Sequence, residues 1–180
     1  MTEASTPTVD LVDASEFSAA VVTTAQIYGE AMQRPPELVV QRREIMSSHV
    51  LRPGFVGVLA RVEGEPVGFG YGYRGRAGDW WHDVVARALG RRAAKEWLAG
   101  SFELAELHVR PTWHGQGLGR RVLSTVLEHA VGETIVLSTH DRESPARALY
   151  RSVGFVDLLT GFVFPGSTEV YVVMGKRAVE

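Results

Sequence analysis

The residues best suited to chemistry cluster in "ELHVRPTWHGQGLGRRVL", residues 106–123. Gly115, Gly117 and Gly119 open what otherwise reads as a helix over 115–130, with the stripe Leu118, Val122, Leu123, Val126 and Leu127. Glycine inside a helix costs about 1 kcal/mol relative to alanine, so three in one turn need a compensating use. Between a strand and a helix, glycine lets the backbone turn sharply and lets a ligand approach it closely. The first N–H groups of a helix lack internal acceptors and carry the positive end of its dipole. Together these features make an anion site, and phosphate is the usual guest. A Walker loop ends in Gly-Lys-Ser/Thr, but Gly119 is followed by Arg120-Arg121; a dinucleotide fingerprint is G-x-G-x-x-G, but this chain has G-x-G-x-G. Arg120 is nearest the helix start and is the best side chain for a phosphate. Arg121 and Arg151 either reach a phosphate or pair on the surface.

The elements that position this loop follow from the apolar pattern. "TVDLVD" alternates Val9 and Leu11 as a short strand. From Glu16, the apolar residues Phe17, Val21, Ala25, Tyr28 and Met32 recur at helical spacing. Pro35-Pro36 ends that helix and opens a second, striped by Leu38, Ile45 and Met46, to about His49. Strands near 55–62 and 66–74 form a hairpin joined at Glu63-Gly64-Glu65, with the aromatics of "GFGYGYRG" on one side. "GDWWHDVVARALGRRAAKEWLAG" is a helical insert at about 75–100, broken around Gly90. "FELAELHVR" is a strand ending before Pro111, and "TIVLSTH" reads as a strand covered on both faces. "SPARALYRSVGF" is a short helix with Ala146, Leu149, Tyr150 and Val153 on one side, stopped by Gly154. "FVDLLTGFVF" and "EVYVVMGK" close the chain as a strand pair. The order β-α-α-β-β-(α)-β-α-β-α-β-β predicts a mixed α+β sheet with the strand 102–110 near its centre.

Composition bounds the function. The chain has 180 residues, 45% of them hydrophobic, and a formal charge of −2. That predicts one domain over residues 8–180 behind a disordered stretch at 1–7. The near-neutral balance argues against nucleic acid or an anionic membrane as a main partner. The absence of cysteine excludes disulfides, zinc-thiolate sites and a cysteine nucleophile, and no metal site is expected. The N-terminus lacks the pattern of a signal peptide and no apolar run reaches the roughly 20 residues of a membrane span, so a cytoplasmic location is expected. An edge strand leaves room for a homodimer.

Two motifs carry a family resemblance. Val109-Arg110-Pro111 precedes His114-Gly115-Gln116-Gly117-Leu118-Gly119, and "SPARALYRSVGF" follows one α-β unit later. The chain resembles the GNAT superfamily of N-acetyltransferases, whose acetyl-coenzyme A signature is [R/Q]-x-x-G-x-[G/A] after a Val-x-Pro-like turn, followed by a small residue and "LY…GF". The element order resembles that family from about residue 8 to 176. The chain departs from the pattern twice. His114 stands at the usual Arg or Gln, and Glu143 stands where an Asn commonly contacts the pantetheine arm.

The resemblance implies a GNAT-like, mostly antiparallel sheet splayed at the strand 102–110, and acetyl-coenzyme A as donor. It implies that the backbone of Leu107, His108 and Val109 and the loop His114 to Arg120 hold the donor, with Glu143 beside its arm. Transfer to an amine needs a base, a polarised carbonyl, and an acid for the departing thiolate. Glu103 shares a strand face with Ala105, Leu107 and Val109 by alternation and falls where many family members carry a glutamate base. The same parity puts Glu106 and His108 on the opposite face, unless a bulge reverses it. Tyr150 occupies the place of the family's tyrosine, and a phenol with pKa about 10 can protonate a thiolate at neutral pH; it also fits a core aromatic. Trp80, Trp81 and His82 either wall the acceptor pocket or anchor the insert. The expected activity is direct acetyl transfer to a primary amine of a small molecule or peptide. The alternatives are a non-catalytic acyl-coenzyme A sensor, or a transferase with another acyl donor or an oxygen acceptor.

Overall fold

The computed structural model describes residues 6–178. Seven strands follow the order β1-β2-β3-β4-β5-β7-β6, with β4 in the middle. They are β1 (Thr8–Val12), β2 (Val56–Val62), β3 (Glu65–Arg74), β4 (Ser101–Val109), β5 (Thr134–His140), β6 (Val156–Phe162) and β7 (Tyr171–Arg177). The helices are α1 (Ala14–Ala19), α2 (Val21–Met32), α3 (Pro36–His49), α4 (Trp80–Leu89), α5 (Arg91–Leu98), α6 (Leu118–His129) and α7 (Pro145–Ser152). The β4–β5 ladder is parallel and the β1–β2, β2–β3, β5–β7 and β6–β7 ladders are antiparallel, as expected for a mixed α+β sheet. Two compact units divide the chain: Met1–Tyr73 with Ala105–Ala130, and Arg74–Leu104 with Val131–Glu180.

In the first unit the β2–β3 hairpin turns through Glu63 and Gly64 at φ 51° and 87°. Two consecutive positive φ values match the right-handed twist of the flanking strands. The turn is therefore two residues long, and Glu65 already pairs with Val62. On β3 the side chains divide cleanly. Phe69, Tyr71 and Tyr73 join Phe17, Ile27, Tyr28, Met46 and Leu59 in one core cluster. Between them Gly70 faces α6: a Cβ there would lie 2.9 Å from Val122 and 3.3 Å from Val126. Small residues here let the helix that carries the glycine loop pack close to the sheet.

Several local expectations are corrected. The first predicted helix is two, because the chain turns at Ala20 between α1 and α2. On β1, Leu11 is exposed and Val12 points inward. On α3, Leu38 and Ile45 are exposed, and the inward face is Val39, Arg42, Met46, His49 and Val50. Two polar residues on that face disguise its period. α6 begins at Leu118, so Gly115 and Gly117 precede the helix and only Gly119 lies within it. Residues 1–5 of the expected disordered stretch lie outside the described residues, while the Pro7 carbonyl accepts a hydrogen bond from Arg121 at 3.0 Å.

In the second unit, Val85, Leu98, Val136, Phe164 and Val173 form a core that the insert helices α4 and α5 cover. Of β5, Thr134–Leu137 are buried and Ser138–His140 half-buried, so the expected cover on both faces holds for its first half. β4 pairs with β5 through Ser101↔Thr134, Phe102↔Ile135 and Glu103↔Val136. On α7 the buried residues are Arg147 and Tyr150, whereas Ala146 of the expected stripe is exposed. Arg147 pairs through Nη1 with Asp141 at 2.6 Å and through Nη2 with Asp157 at 2.8 Å. The hydrogen bond to Asp157, with that to Asp141, outweighs burial and holds its pKa above the ordinary value.

Phe17 packs edge-on against Phe55, Phe69 and Tyr71, with centroids at 5.3, 6.2 and 5.3 Å. Phe17→Ala should destabilise the protein by about 3–5 kcal/mol, the usual cost of emptying an aromatic site in a packed core. Urea unfolding checks this, and a loss below about 1 kcal/mol would show that the cluster collapses to fill the space.

Candidate active site

The glycine loop answers to its backbone. After Val109 the chain makes a short 3-10 turn at Pro111–Trp113, and then Gly115 and Gly117 adopt φ 74° and 76°. Both values lie in the left-handed region that side chains disfavour. A Cβ at either position would meet nothing within 4 Å, so conformation, not crowding within the chain, calls for glycine. Gly117 is the N-cap of α6 and supplies no side-chain acceptor. The first amides of α6 are thus left without a capping side chain at the positive end of the helix dipole.

The loop's side chains brace it. His114 Nε2 donates to the Val109 carbonyl at 2.7 Å, and the Gln116 amide donates to the Thr112 carbonyl at 3.2 Å. A carbonyl only accepts, so His114 carries its proton on Nε2. The residue at the family's Arg or Gln position therefore ties the loop to β4. Arg120 is exposed in the first turn of α6.

β4 supplies a main-chain edge. A Cβ at Gly68 would lie 3.1 Å from Val109 Cγ2, and one at Gly70 3.1 Å from Leu107 Cδ1, so these residues stand opposite one another. The Arg110 N–H donates to the Val67 carbonyl at 2.8 Å. In an antiparallel ladder successive residues alternate between partners. Arg110 and His108 therefore direct their backbone groups to β3, while Leu107 and Val109 direct theirs away from it. The Val109 carbonyl is taken by His114. The backbone of Leu107 and Val109 is thus directed away from β3, and that of His108 toward it.

In the second unit the Gly75 N–H donates to the Ser101 carbonyl, and a Cβ on Gly75 would contact Ser101 Oγ at 2.9 Å and Glu103 Cβ at 3.9 Å. Glu103 is buried, at 5% exposure, beside Gly75.

A polar cluster sits on the β4 face of the first unit that α2 and α3 cover. Glu106 is 8% exposed and both its oxygens are engaged. Arg42 Nη1 donates to Oε1 at 2.9 Å, and His108 Nε2 donates to Oε2 at 2.7 Å. Burial pushes this carboxyl up, but the His108 hydrogen bond and the Arg42 charge together hold it below the ordinary glutamate range. The Arg42 guanidinium lies 4.8 Å from the centre of the Tyr28 ring, and that ring meets His108 edge-on at 5.3 Å. His49 Nδ1 is 3.0 Å from the Tyr71 hydroxyl. Arg42, Tyr28 and His49 were not singled out from sequence. The signal for Arg42 and His49 was their place at the inward period of α3.

The remaining candidates lie in the second unit. Tyr150 is 7% exposed and packs edge-on against Phe155 at 5.8 Å. Glu143 is exposed and pairs with Arg151 at 3.0 Å, immediately before the N-cap Ser144. Trp81 Nε1 donates to Ser138 Oγ at 3.1 Å, which anchors the insert. Trp80 is 57% exposed and rests on Phe164 at 5.6 Å. His82 lies 3.3 Å from Asp83.

The model of the acetyltransferase (GNAT) family matches residues 23–155, which span the loop, β4 and α7. The chain belongs to the GNAT acetyltransferase family. It is 27% identical to the GCN5-like protein acetyltransferase Rv2170 of Mycobacterium tuberculosis, over 83% of this chain and 87% of that one. Among solved structures, yncA of Salmonella typhimurium, determined with its cofactor acetyl-CoA, has a TM-score of 0.67 at 18% identity and covers 97% of this chain and 95% of its own. The ribosomal-protein-S18-alanine N-acetyltransferase of Escherichia coli has a TM-score of 0.63 at 17% identity and covers 97% and 96%. These two likenesses show the GNAT fold. Among the described residues no group of His, Cys, Asp or Glu is disposed to hold a metal ion, and no helix is long and apolar enough to cross a membrane. The residues of this GNAT chain fit a pyrophosphate-bearing donor: the loop is open at both glycines, the helix start is uncapped, and an extended edge leads to it.

Gly117→Val should abolish acetyl-CoA binding by calorimetry while the circular dichroism of the fold is retained; undiminished binding would show that the loop is not the anion site. A second prediction concerns acid. The folded Glu106 carboxyl has a lowered pKa, so the stability it contributes is present above its unfolded value of about 4.3 and is lost as pH falls through the folded value. Glu106→Gln should therefore flatten the fall of stability below about pH 4.3. An unchanged acid limb in urea titrations would contradict this.

Proposed function

We propose that this GNAT acetyltransferase moves an acetyl group from acetyl-CoA to a primary amine by direct attack. The carrying observation is the uncapped start of α6 behind two left-handed glycines, next to a strand whose Leu107 and Val109 amides are turned away from β3. Gly115, Gln116, Gly117, Leu118 and Gly119 present main-chain N–H groups to the diphosphate, with Arg120 as an added cation. Leu107 and the Val109 N–H hold the pantetheine arm as an added strand would. Acetyl-CoA, when bound, supplies an activated acyl carbon and a good leaving group.

Glu103 serves as base and Tyr150 as acid. Glu103 is buried beside Gly75, and a phenol, protonated at neutral pH, suits the second role. Trp80, Trp81 and His82 border the acceptor, with Trp80 offering the exposed ring. The relative that aligns over most of the chain is described as a protein acetyltransferase, which puts peptide N-termini and lysine side chains first among acceptors. A homodimer and a cytoplasmic location complete this reading.

Free-thiol release across a panel of peptides, amino acids and small amines tests the activity, and acyl-CoA chain-length competition tests the donor. Binding of acetyl-CoA with no transfer would favour an acyl-CoA sensor. Glu103→Gln should lower kcat by about 10²-fold and flatten its rise with pH while leaving acetyl-CoA affinity intact. Tyr150→Phe should slow the same step. Normal turnover in either variant returns that residue to the core.

A further inference from the structure

Of the eight residues of α7, the two that are buried are Arg147 and Tyr150, one helical turn apart and hence on one side of the helix. Arg147 is a charge, and no step above uses it. We propose that Arg147 is the positioning residue of Tyr150: its two ion pairs fix the rotation and depth of α7, and through them the direction of the phenol. This inference rests on the reading of Tyr150 as the acid, and the residues that carry it all lie within the second unit.

A helix this short is not stable by itself in water, so packing must place it. At its end the Phe155 N–H donates to the Tyr150 carbonyl at 3.1 Å, and the two rings meet edge-on. Contacts at one end leave a helix able to swing about that end. The second point of fixation is the Arg147 guanidinium. Its Nη1 donates to Asp141 Oδ1 at 2.6 Å, just after β5, and its Nη2 donates to Asp157 Oδ2 at 2.8 Å, in β6. One planar group held by carboxylates from two segments has its direction set as well as its distance. Those carboxylates are themselves held. Asp141 Oδ2 accepts from the Gly161 N–H at 2.6 Å, and the Asp141 N–H donates to the Val170 carbonyl at 2.9 Å. Asp157 Oδ2 also accepts from Arg151 Nη2 at 2.9 Å, one turn further along α7.

Stability alone does not call for this arrangement. Desolvating a buried ion pair costs about what its attraction returns, and apolar side chains of similar volume commonly do as well. What the pair adds here is one geometry. Ala146 and Ala148 are exposed and Leu149 is half-buried, so apolar burial defines the orientation of α7 only weakly. The charged fork supplies the rest. Burial pushes the Asp157 carboxyl up, but the hydrogen bonds from Arg147 and Arg151 hold it below the ordinary aspartate range. The fork is therefore charged on both sides at neutral pH. A phenol donates only along its O–H bond, and a displacement of about 1 Å in a reacting group can cost about 10²-fold in rate.

A double-mutant cycle in kcat tests this. Arg147→Lys keeps the charge but not the planar fork, and should lower kcat about tenfold while the KM for acetyl-CoA stays within about twofold. In the Tyr150→Phe background the same change should alter kcat by less than about twofold, because the group it positions is gone. Circular dichroism and urea unfolding establish that each chain in the cycle is folded. Where Arg147→Lys does not fold, Asp141→Asn, isosteric and lacking one ion pair, takes its place. Equal losses of kcat in the two backgrounds are what a merely structural role gives. That outcome, or a wild-type kcat in the single variant of the fork, overturns the proposal and leaves Tyr150 as the acid. A wild-type kcat in Tyr150→Phe alone overturns the acid role and this inference with it, while amine acetylation stands. A wild-type chain that acetylates no amine overturns all three.

Discussion

A helix begins with amides that have nothing of their own to bond, and in this chain the start of α6 is kept that way. Ser, Thr, Asp or Asn at the N-cap would fold an oxygen back onto those donors. Gly117 has no such oxygen, and its φ of 76° turns the preceding loop away from the helix axis. The loop's polar side chains are committed elsewhere, His114 to Val109 and Gln116 to Thr112. The donors thus remain for an anion, and the helix dipole favours one. The rest of the first unit serves to hold that helix end in place.

It does so by giving the two faces of one sheet different tasks. Gly68 and Gly70 let Val109, Val122 and Val126 approach β3 closely, which seats α6 against the sheet. On the other face Phe69, Tyr71 and Tyr73 bury large rings against α1, α2 and α3. That aromatic face also carries Glu106, a buried carboxylate with both oxygens paired. Backbone and side chains on β4 divide in the same manner. Leu107 and Val109 turn their main chain outward, while Glu106 and His108 turn their side chains toward α2 and α3. A single strand in this way turns main-chain groups of Leu107 and Val109 away from β3 while its paired Glu106 and His108 side chains face α2 and α3.

The glycine loop and the order of elements along the chain were legible because both depend on residue types that few other uses explain. Three glycines between a strand and an apolar stripe have one economical physical reading, and the hairpin at Glu63-Gly64 announces itself by composition. The Arg42–Glu106–His108 cluster was not legible for the opposite reason. Arg42 and His49 look like solvated residues on a helix whose visible apolar positions, Leu38 and Ile45, are in fact exposed. Only the partner 64 residues away on β4 reveals why Arg42 turns inward. Arg147 is similar: its burial beside Asp141 and Asp157 depends on contacts that sequence spacing does not display.

The central claim is that main-chain donors at the start of α6 hold a diphosphate. A crystal structure of the chain with coenzyme A measures it directly. The account predicts diphosphate oxygens about 2.7–3.2 Å from backbone nitrogens between residues 115 and 120, the range of good N–H···O bonds. Coenzyme A bound elsewhere, or a helix start closed by a side chain, would contradict it.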